Sequence, residues 1–294
     1  MGGFCGILWE SLKESVFITL LVLLLMAVVE SINISSSERL FRKLHGRPVA
    51  EVALACLLGA IPGCAGGFAV VSLFASRMLP FGALVGGMVT TFGDEALFLV
   101  AQSPLNALIL TGTLFAIGFV FGLIMLKVPE NRMVTFESPD LEIRAEHQHG
   151  PIEEQEARRS GRLLRFLREQ VWEHIIKRHA LKIFGYAFGT LTVLGFLNYF
   201  VDLQTITESY AWTKWLLLLI AVAVGFLPVS GPHLLFVMLF LQGDVPFAVL
   251  LANAIAQNGH AGIPLLAQSK RNFLIIKGLT MGLGLLVGAV FLAV

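Results

Sequence analysis

The sequence predicts an all-α polytopic membrane protein built from two inverted repeats, because of its composition, its hydropathy pattern and an internal duplication. Hydrophobic residues make up 56% of the 294 residues, charged residues make up 14%, and the mean hydropathy is +0.80. A soluble domain carries about 25% charged residues, so the composition does not fit a water-soluble globule. The net charge of +1 gives no basic field for nucleic acid, which we therefore exclude as a partner.

Long apolar stretches predict the membrane-spanning elements, because a helix needs about 20 mostly apolar residues to cross a bilayer. These stretches are 12–34, 49–76, 81–102 and 105–126 in the first half, and 180–201, 215–242, 245–269 and 272–294 in the second. The segment between the halves is polar, and from Glu153 onward its spacing predicts an amphipathic helix on the inner membrane surface. The predicted domains are a first transmembrane repeat (10–127), a cytoplasmic linker with this helix (128–178) and a second transmembrane repeat (179–294).

The two halves align with each other at an offset of 166 residues, without a gap, over 59–112 and 225–278. Pro80-Phe81 aligns with Pro246-Phe247, and an Ala-Gln-Ser string that begins at Ala101 aligns with an identical string at Ala267. Shared Leu and Gly are common in membrane segments, but coincident Pro-Phe and Ala-Gln-Ser strings are not. We infer an internal duplication.

One span in each half is interrupted by proline and glycine. A continuous helix over 49–76 would be about 42 Å long, which is too long for a bilayer core of about 30 Å without steep tilt. We therefore predict a re-entrant hairpin with two limbs in each repeat, preceded by one helix and followed by two. The residues at the predicted breaks are Pro62, Gly63, Gly66 and Gly67 in the first repeat and Pro228, Gly231 and Pro232 in the second.

Five elements per repeat make the second repeat inverted relative to the first. With the N-terminus outside, the basic segments 39–47 and 270–271 and the linker all fall inside, as the positive-inside rule requires. The C-terminus is then also outside. Inverted repeats with interrupted helices are typical of secondary transporters, which bind their substrate near the midplane between the repeats.

Two adjacent carboxylates, Asp94 and Glu95, lie in an otherwise uncharged span. Each costs about 2.5–3.5 kcal/mol at the centre of a membrane helix, so such residues face the bundle interior or a water path and mark functional sites. On a regular helix the two side chains would point in different directions, but unwinding at Gly93 would let both serve one site. Both are candidates for metal binding and proton relay. Glu30 is a third relay candidate, with a position at the membrane interface as its alternative.

The equivalent window of the second repeat supplies an imidazole. His260 aligns with Asp94, and a carboxylate with an imidazole suits Mn²⁺, Zn²⁺, Fe²⁺ or Co²⁺. Nearby amide carbonyls are hard neutral ligands. The two breaks add the thiol of Cys64 and the imidazole of His233, which would otherwise be residues packed in the core. The predicted metal- or substrate-binding residues are Asp94, Glu95, His260, Asn258, Asn253, Gln257, His233 and Cys64.

Motifs of enzymes and of ATP-driven pumps are absent from the sequence. It contains no His-Glu-x-x-His, no Gly-x-x-x-x-Gly-Lys-Ser/Thr loop and no Gly-x-Ser-x-Gly elbow. We therefore predict that the protein is not an enzyme, has no resident cofactor and is not driven by ATP bound to this chain.

Two motifs mark each repeat. At the predicted breaks they are Ile-Pro-Gly-Cys-Ala-Gly-Gly in the first repeat and Leu-Pro-Val-Ser-Gly-Pro-His in the second, and in the next span they are Thr-Phe-Gly-Asp-Glu-Ala and Asn-Gly-His-Ala-Gly-Ile-Pro. They resemble a bacterial family of heavy-metal exporters with ten membrane segments, also labelled arsenic efflux or manganese transporters. The resemblance spans roughly 10–34, 50–127 and 179–294. It implies a multi-pass protein of the prokaryotic inner membrane that exports metal.

The candidate ligands discriminate between the substrate labels of that family. Arsenite favours several thiolates, whereas Cys64 is the single cysteine in a motif, and arsenate needs a cationic clamp, whereas no Lys or Arg lies in the motif windows. We therefore expect proton-coupled export of a Mn²⁺-like divalent cation. Export of arsenic or another small inorganic or organic anion, cation-coupled at Asp94 and Glu95, stays open, with an intramembrane enzyme as a remote alternative. The expected partners are the metal ion, protons and the lipid bilayer, and a homodimer is left open.

Overall fold

In the computed structural model the described residues are 6, 8–17, 19–20, 23–24, 46–63, 65–75, 77–128, 181–200, 211–228 and 231–293. Within these ranges the chain is helical apart from short connections, and the β-type pairing found there is an isolated antiparallel bridge between Gly63 and Gly93. The predicted all-α class is confirmed for this part of the protein. Glu30, Cys64, Ser230 and the linker beyond residue 128 lie outside the described residues.

In the described part of the first half, five helices follow a helical N-terminal segment at 8–17. Pro48 and Pro104 each stand in the first turn of a helix, where a missing N–H removes no intrahelical hydrogen bond. The helices are α1 (Pro48–Gly59), α2 (Ala65–Ala75), α3 (Phe81–Thr90), α4 (Glu95–Gln102) and α5 (Pro104–Met125).

The second half repeats this order. The starts of three of its helices lie 166 residues after the starts of α2, α3 and α5, so the order and bounds of the helices follow the internal duplication. A 3-10 turn, Gly259–Ala261, lies between the helices that end at Gln257 and begin at Gly262. The helices are α6 (Leu181–Phe200), α7 (Ala211–Val224), α8 (Gly231–Gln242), α9 (Phe247–Gln257), α10 (Gly262–Gln268) and α11 (Lys270–Ala293).

The predicted interruptions at Pro62 and Pro228 are present, because α1 and α2 are separate helices, as are α7 and α8. The predicted spans 81–102 and 245–269 are each interrupted as well: the first at Gly93, where the sequence allows unwinding, and the second at Asn258. Gly93 has a φ of 77°, and Asn258 has a φ of 60°. This left-handed conformation cannot continue a right-handed helix, so α3 and α4, and likewise α9 and α10, are separate helices.

The breaks leave few helices that could cross a bilayer alone. Among the described helices, α5 and α11 are long and apolar enough to do so, by length and composition. The helices on either side of each break are shorter, for example α1, α3 and α8. Two broken segments per repeat therefore place non-helical backbone inside the protein, where it is tolerated only if it is buried or lines a cavity.

Small residues let the helices beside the breaks pack closely. A Cβ added at Gly118 of α5 would lie 2.8 Å from the carbonyl oxygen of Gly86 in α3. The equivalent contact recurs in the second repeat, where a Cβ added at Gly284 of α11 would lie 2.7 Å from the carbonyl oxygen of Ala252 in α9. Close backbone approach at small residues is the usual way in which membrane helices associate. It fixes α3 and α9, and thus the breaks at their ends, inside the bundle.

Candidate functional site

Three helix breaks meet at one place in the structure. The backbone N–H of Gly63 donates to the carbonyl oxygen of Gly93 at 3.0 Å, so the two breaks of the first repeat pair with each other. A Cβ added at Gly259, in the second repeat, would lie 3.1 Å from the Cα of Gly93. A Cβ added at Gly67 would lie 2.7 Å from the Cβ of Ala261. Backbone from both repeats is therefore in van der Waals contact at the breaks.

Asp94 and His260 face each other across this contact. Asp94 precedes α4, and His260 lies in the 3-10 turn between α9 and α10. The distance between His260 Nδ1 and Asp94 Oδ2 is 3.8 Å, and the side chains are 31% and 15% exposed respectively. Two neighbouring ligands about 2.1 Å from a metal ion lie about 3.0 Å apart in octahedral geometry and about 3.4 Å apart in tetrahedral geometry. A movement of less than about 1 Å would therefore let both side chains hold one cation.

Glu95 is the first residue of α4 and is 2% exposed, so this carboxylate lies inside the bundle beside Asp94. In the part of the chain that the structure describes, no three His, Cys, Asp or Glu side chains are grouped closely enough to hold a metal ion. A cation at Asp94 and His260 would therefore take its remaining ligands from amide oxygens, backbone carbonyls or water.

Amides of the second repeat connect the two repeats. Gln257 Nε2 donates to the carbonyl oxygen of Phe92 at 3.0 Å, and Asn258 Nδ2 donates to that of Met88 at 3.0 Å. Thr280 donates its hydroxyl hydrogen to Asn258 Oδ1 at 3.3 Å. Gln257 Oε1 is buried and has no hydrogen-bond partner among the described residues. A buried carbonyl oxygen without a hydrogen-bond donor is rare. Gln257 Oε1 is therefore available as an oxygen ligand for a cation.

His233 belongs to a hydrogen-bonded network at the other break of the second repeat. Its Nε2 lies 3.1 Å from the carbonyl oxygen of Leu227, and its Nδ1 lies 3.2 Å from Asn253 Nδ2. Asn253 Nδ2 also donates to the carbonyl oxygen of Ala221 at 2.7 Å. These distances fit a histidine that carries its proton on Nε2. Both ring nitrogens have partners, so metal ligation by His233 would require the network to rearrange.

The residues at the predicted breaks are placed as follows. A Cβ added at Gly66 would lie 1.8 Å from the carbonyl oxygen of Leu58, so only glycine fits there. Gly231 is buried at the start of α8, and Pro232 is half-buried beside it. Pro62 and Pro228 lie in the two connections and are half-buried.

Lys277 is a buried charged residue that the sequence analysis missed. It is 2% exposed, and its Nζ donates to backbone carbonyls at the ends of α7 and α9. Lys277 lies outside the motif windows, in α11. Its signal was nevertheless present, because Lys277 is the only charged residue in the span 272–294, and charged residues inside membrane spans mark function.

The model of a family described as "Putative, 10TM heavy-metal exporter" matches residues 10–183 and 187–282. No curated protein and no solved structure matches the chain. The matched residues cover both repeats and include Asp94, His260 and Lys277. The family expected from the sequence motifs is confirmed: the chain belongs to this family of multi-pass membrane exporters of heavy metals.

Proposed function

We propose that the protein is a secondary active transporter that exports a divalent transition-metal cation of the Mn²⁺ type and binds it between the two repeats. The observation that carries this proposal is the distance of 3.8 Å between Asp94 and His260, which come from equivalent positions of the duplicated sequence. Family membership supports a metal ion as the substrate. A carboxylate with an imidazole suits borderline divalent cations better than it suits arsenite, which needs thiolates.

Broken backbone supplies the other part of the proposed site. In secondary transporters, unwound segments at the meeting point of two repeats coordinate the transported or coupling ion. Here Gly93 and Gly259 come into contact at the breaks beside Asp94 and His260. The unpartnered Gln257 Oε1 adds an amide oxygen. We assign Asp94 and His260 to the metal, with this oxygen, backbone carbonyls and water completing its coordination, and we assign the buried carboxylate of Glu95 beside them to proton transfer.

Proton coupling follows from the same ligands. A carboxylate and an imidazole must be deprotonated to hold a metal ion, so protons and the metal compete for them. Entry of protons from the outside would release the metal, and loss of protons on the inside would allow it to bind. Asp94 and Glu95 are the proton carriers in this scheme, and proton entry drives metal export.

The membrane orientation that we propose places both termini outside and the linker in the cytoplasm. Its support is the distribution of basic residues. It requires the two repeats to be inverted relative to each other, a relation favoured by the broken helices that each repeat contains at equivalent positions. We propose the prokaryotic inner membrane as the location.

Transport of an anion is the competing proposal. It requires a cationic clamp, and Lys277 is the buried cation closest in sequence to the motifs of the second repeat. All three N–H groups of its ammonium are used by backbone carbonyls. In the part of the chain that the structure describes, the contacts of Lys277 therefore favour a cationic substrate at Asp94 over an anionic one.

The test is calorimetric titration of the purified, detergent-solubilised protein with Mn²⁺, Zn²⁺, Co²⁺ and arsenite. We expect saturable Mn²⁺ binding, with affinity reduced roughly tenfold or more in Asp94→Asn and in His260→Ala. Glu14→Gln removes an exposed carboxylate of the N-terminal helix and serves as the matched control, with unchanged affinity. Absence of divalent binding, or binding that both site variants retain, would disprove the proposed site.

A further inference from the structure

Lys277 is the eighth residue of α11 and is buried. Its Nζ donates to the carbonyl oxygen of Gly225 at 2.7 Å, of Ala256 at 3.1 Å and of Gln257 at 2.5 Å. Gly225 follows the last residue of α7, and the other two residues end α9. Carbonyls in the last turn of a helix have no intrahelical donor, so the ammonium satisfies acceptors that the helices leave free.

The acceptors around Lys277 resemble a cation site rather than an ion pair. No carboxylate in the described ranges lies within ion-pair distance of its Nζ. The negative ends of two helix dipoles converge on it instead, and such ends favour a positive charge. Carbonyls at the C-terminal ends of broken helices are also the ligands with which transporters hold a small monovalent cation. The three N–H groups of an ammonium match the three carbonyls one to one.

We propose that the C-terminal ends of α7 and α9 form a monovalent-cation pocket, and that Lys277 occupies it as a covalently attached cation. The pocket adjoins the proposed metal site, because the backbone carbonyl of Gln257 lines the pocket and the side-chain oxygen of Gln257 is assigned to the metal. The inference does not rest on the identity of the exported ion. It means that the second repeat needs no soluble Na⁺ or K⁺ in this pocket. A shorter side chain at position 277 opens the pocket to a small soluble cation.

The duplication provides a natural replacement for Lys277. Thr111 occupies the equivalent position in α5 of the first repeat. A threonine in a membrane helix is well tolerated, and it cannot reach the three carbonyls that the longer lysine reaches. Lys277→Thr therefore removes the attached cation while it keeps a residue that the same fold accepts. Lys277→Ala removes the side chain more completely.

The experiment measures the thermal unfolding midpoint of the full-length protein in detergent, for the wild type, Lys277→Ala and Lys277→Thr. Each is titrated with ammonium, methylammonium, sodium and potassium chloride, and with choline chloride at the same ionic strength. We expect both variants to unfold at lower temperature than the wild type. Ammonium or another small cation should raise their midpoints by about 5 °C in a saturable manner, and choline should not, because it is too large for the pocket.

Two controls isolate the pocket from general salt effects. The wild type should show no saturable response, because its pocket is filled. Lys270→Ala removes an exposed lysine from the start of the same helix and should behave as the wild type does. If a Lys277 variant does not survive extraction, extraction in the presence of each salt becomes the readout, and recovery of a monodisperse protein in small cations alone supports the pocket.

Other results would overturn the proposal. Lys277 variants as stable as the wild type would show that the carbonyls need no cation. An equal response to choline and ammonium, or no response to any cation in either assay, would show that Lys277 acts only as a packed side chain. This experiment measures protein stability, whereas the calorimetric titration measures metal binding. A negative result in one experiment is therefore distinguishable from a negative result in the other.

Discussion

Asn258 has two structural roles in the break of the second repeat. Its backbone is left-handed, with a φ of 60°, and its side chain donates to Met88 of the first repeat and accepts from Thr280. Asparagine is one of the few residues other than glycine that adopt this conformation. The same residue therefore ends α9 and ties that end to the first repeat.

Substitutions of Asn258 separate these two roles. Asn258→Gly keeps the left-handed turn and removes the side-chain hydrogen bonds, whereas Asn258→Ala removes both. We expect the alanine variant to be less stable than the glycine variant by about 1 kcal/mol, because an alanine resists the left-handed region. Unfolding midpoints of the two variants and the wild type measure the difference. Equal midpoints would show that the turn is not held in this conformation.

Asp94 and His260 should bind metal in competition with protons. We expect Mn²⁺ binding to release protons and its affinity to fall as the pH is lowered. Calorimetry in buffers with different ionisation enthalpies counts the protons released. Asp94→Asn, which cannot release a proton from residue 94, should release fewer protons than the wild type at a pH low enough for the wild-type carboxyl group to be protonated before metal binds. A proton count that is zero in the wild type would contradict coupling at these ligands.

The two kinds of helix break differ in how well they can be predicted. A proline with neighbouring glycines at Pro62 predicts an interruption from local chemistry alone, because proline has no N–H and clashes with the preceding turn. The break at Gly93 depends on partners distant in sequence, namely Gly63, which pairs with it, and Gly259, which packs on it. Single glycines are common in membrane helices, so the sequence made unwinding at Gly93 conceivable but could not establish it.

Close helix packing at two equivalent glycines gives the same stability prediction in both repeats. Gly118→Ala should destabilise the protein by about 1–3 kcal/mol, since its Cβ would press on the backbone of α3. Gly284→Ala should act likewise against α9. The matched controls are Gly112→Ala and Gly282→Ala on the same two helices, where a Cβ meets nothing within 4 Å. Thermal unfolding of the four variants tests this, and equal effects at all four positions would rule out the close helix packing.

At the scale of the whole molecule, the duplicated halves have diverged in their polar residues. Asp94 corresponds to His260, and Thr111 corresponds to Lys277. The first repeat thus supplies the carboxylates at the proposed metal site. The second repeat supplies the imidazole of that site and the ammonium of Lys277. Alignment of the sequence with itself predicts these correspondences. It does not predict that the breaks of the two repeats touch, because that contact depends on how the halves pack.

This arrangement predicts exchange of metal for protons across a membrane. In proteoliposomes with an acidic lumen, Mn²⁺ added outside should enter faster than in liposomes without a pH gradient, because protons leaving the lumen drive the metal inward through the reversible carrier. A protonophore should abolish the acceleration, and Asp94→Asn should reduce the rate roughly tenfold or more. Glu14→Gln should transport as the wild type does. If the Mn²⁺ uptake rate of the wild type does not depend on the pH gradient, proton coupling is ruled out. Uptake that survives in Asp94→Asn would place the metal path elsewhere.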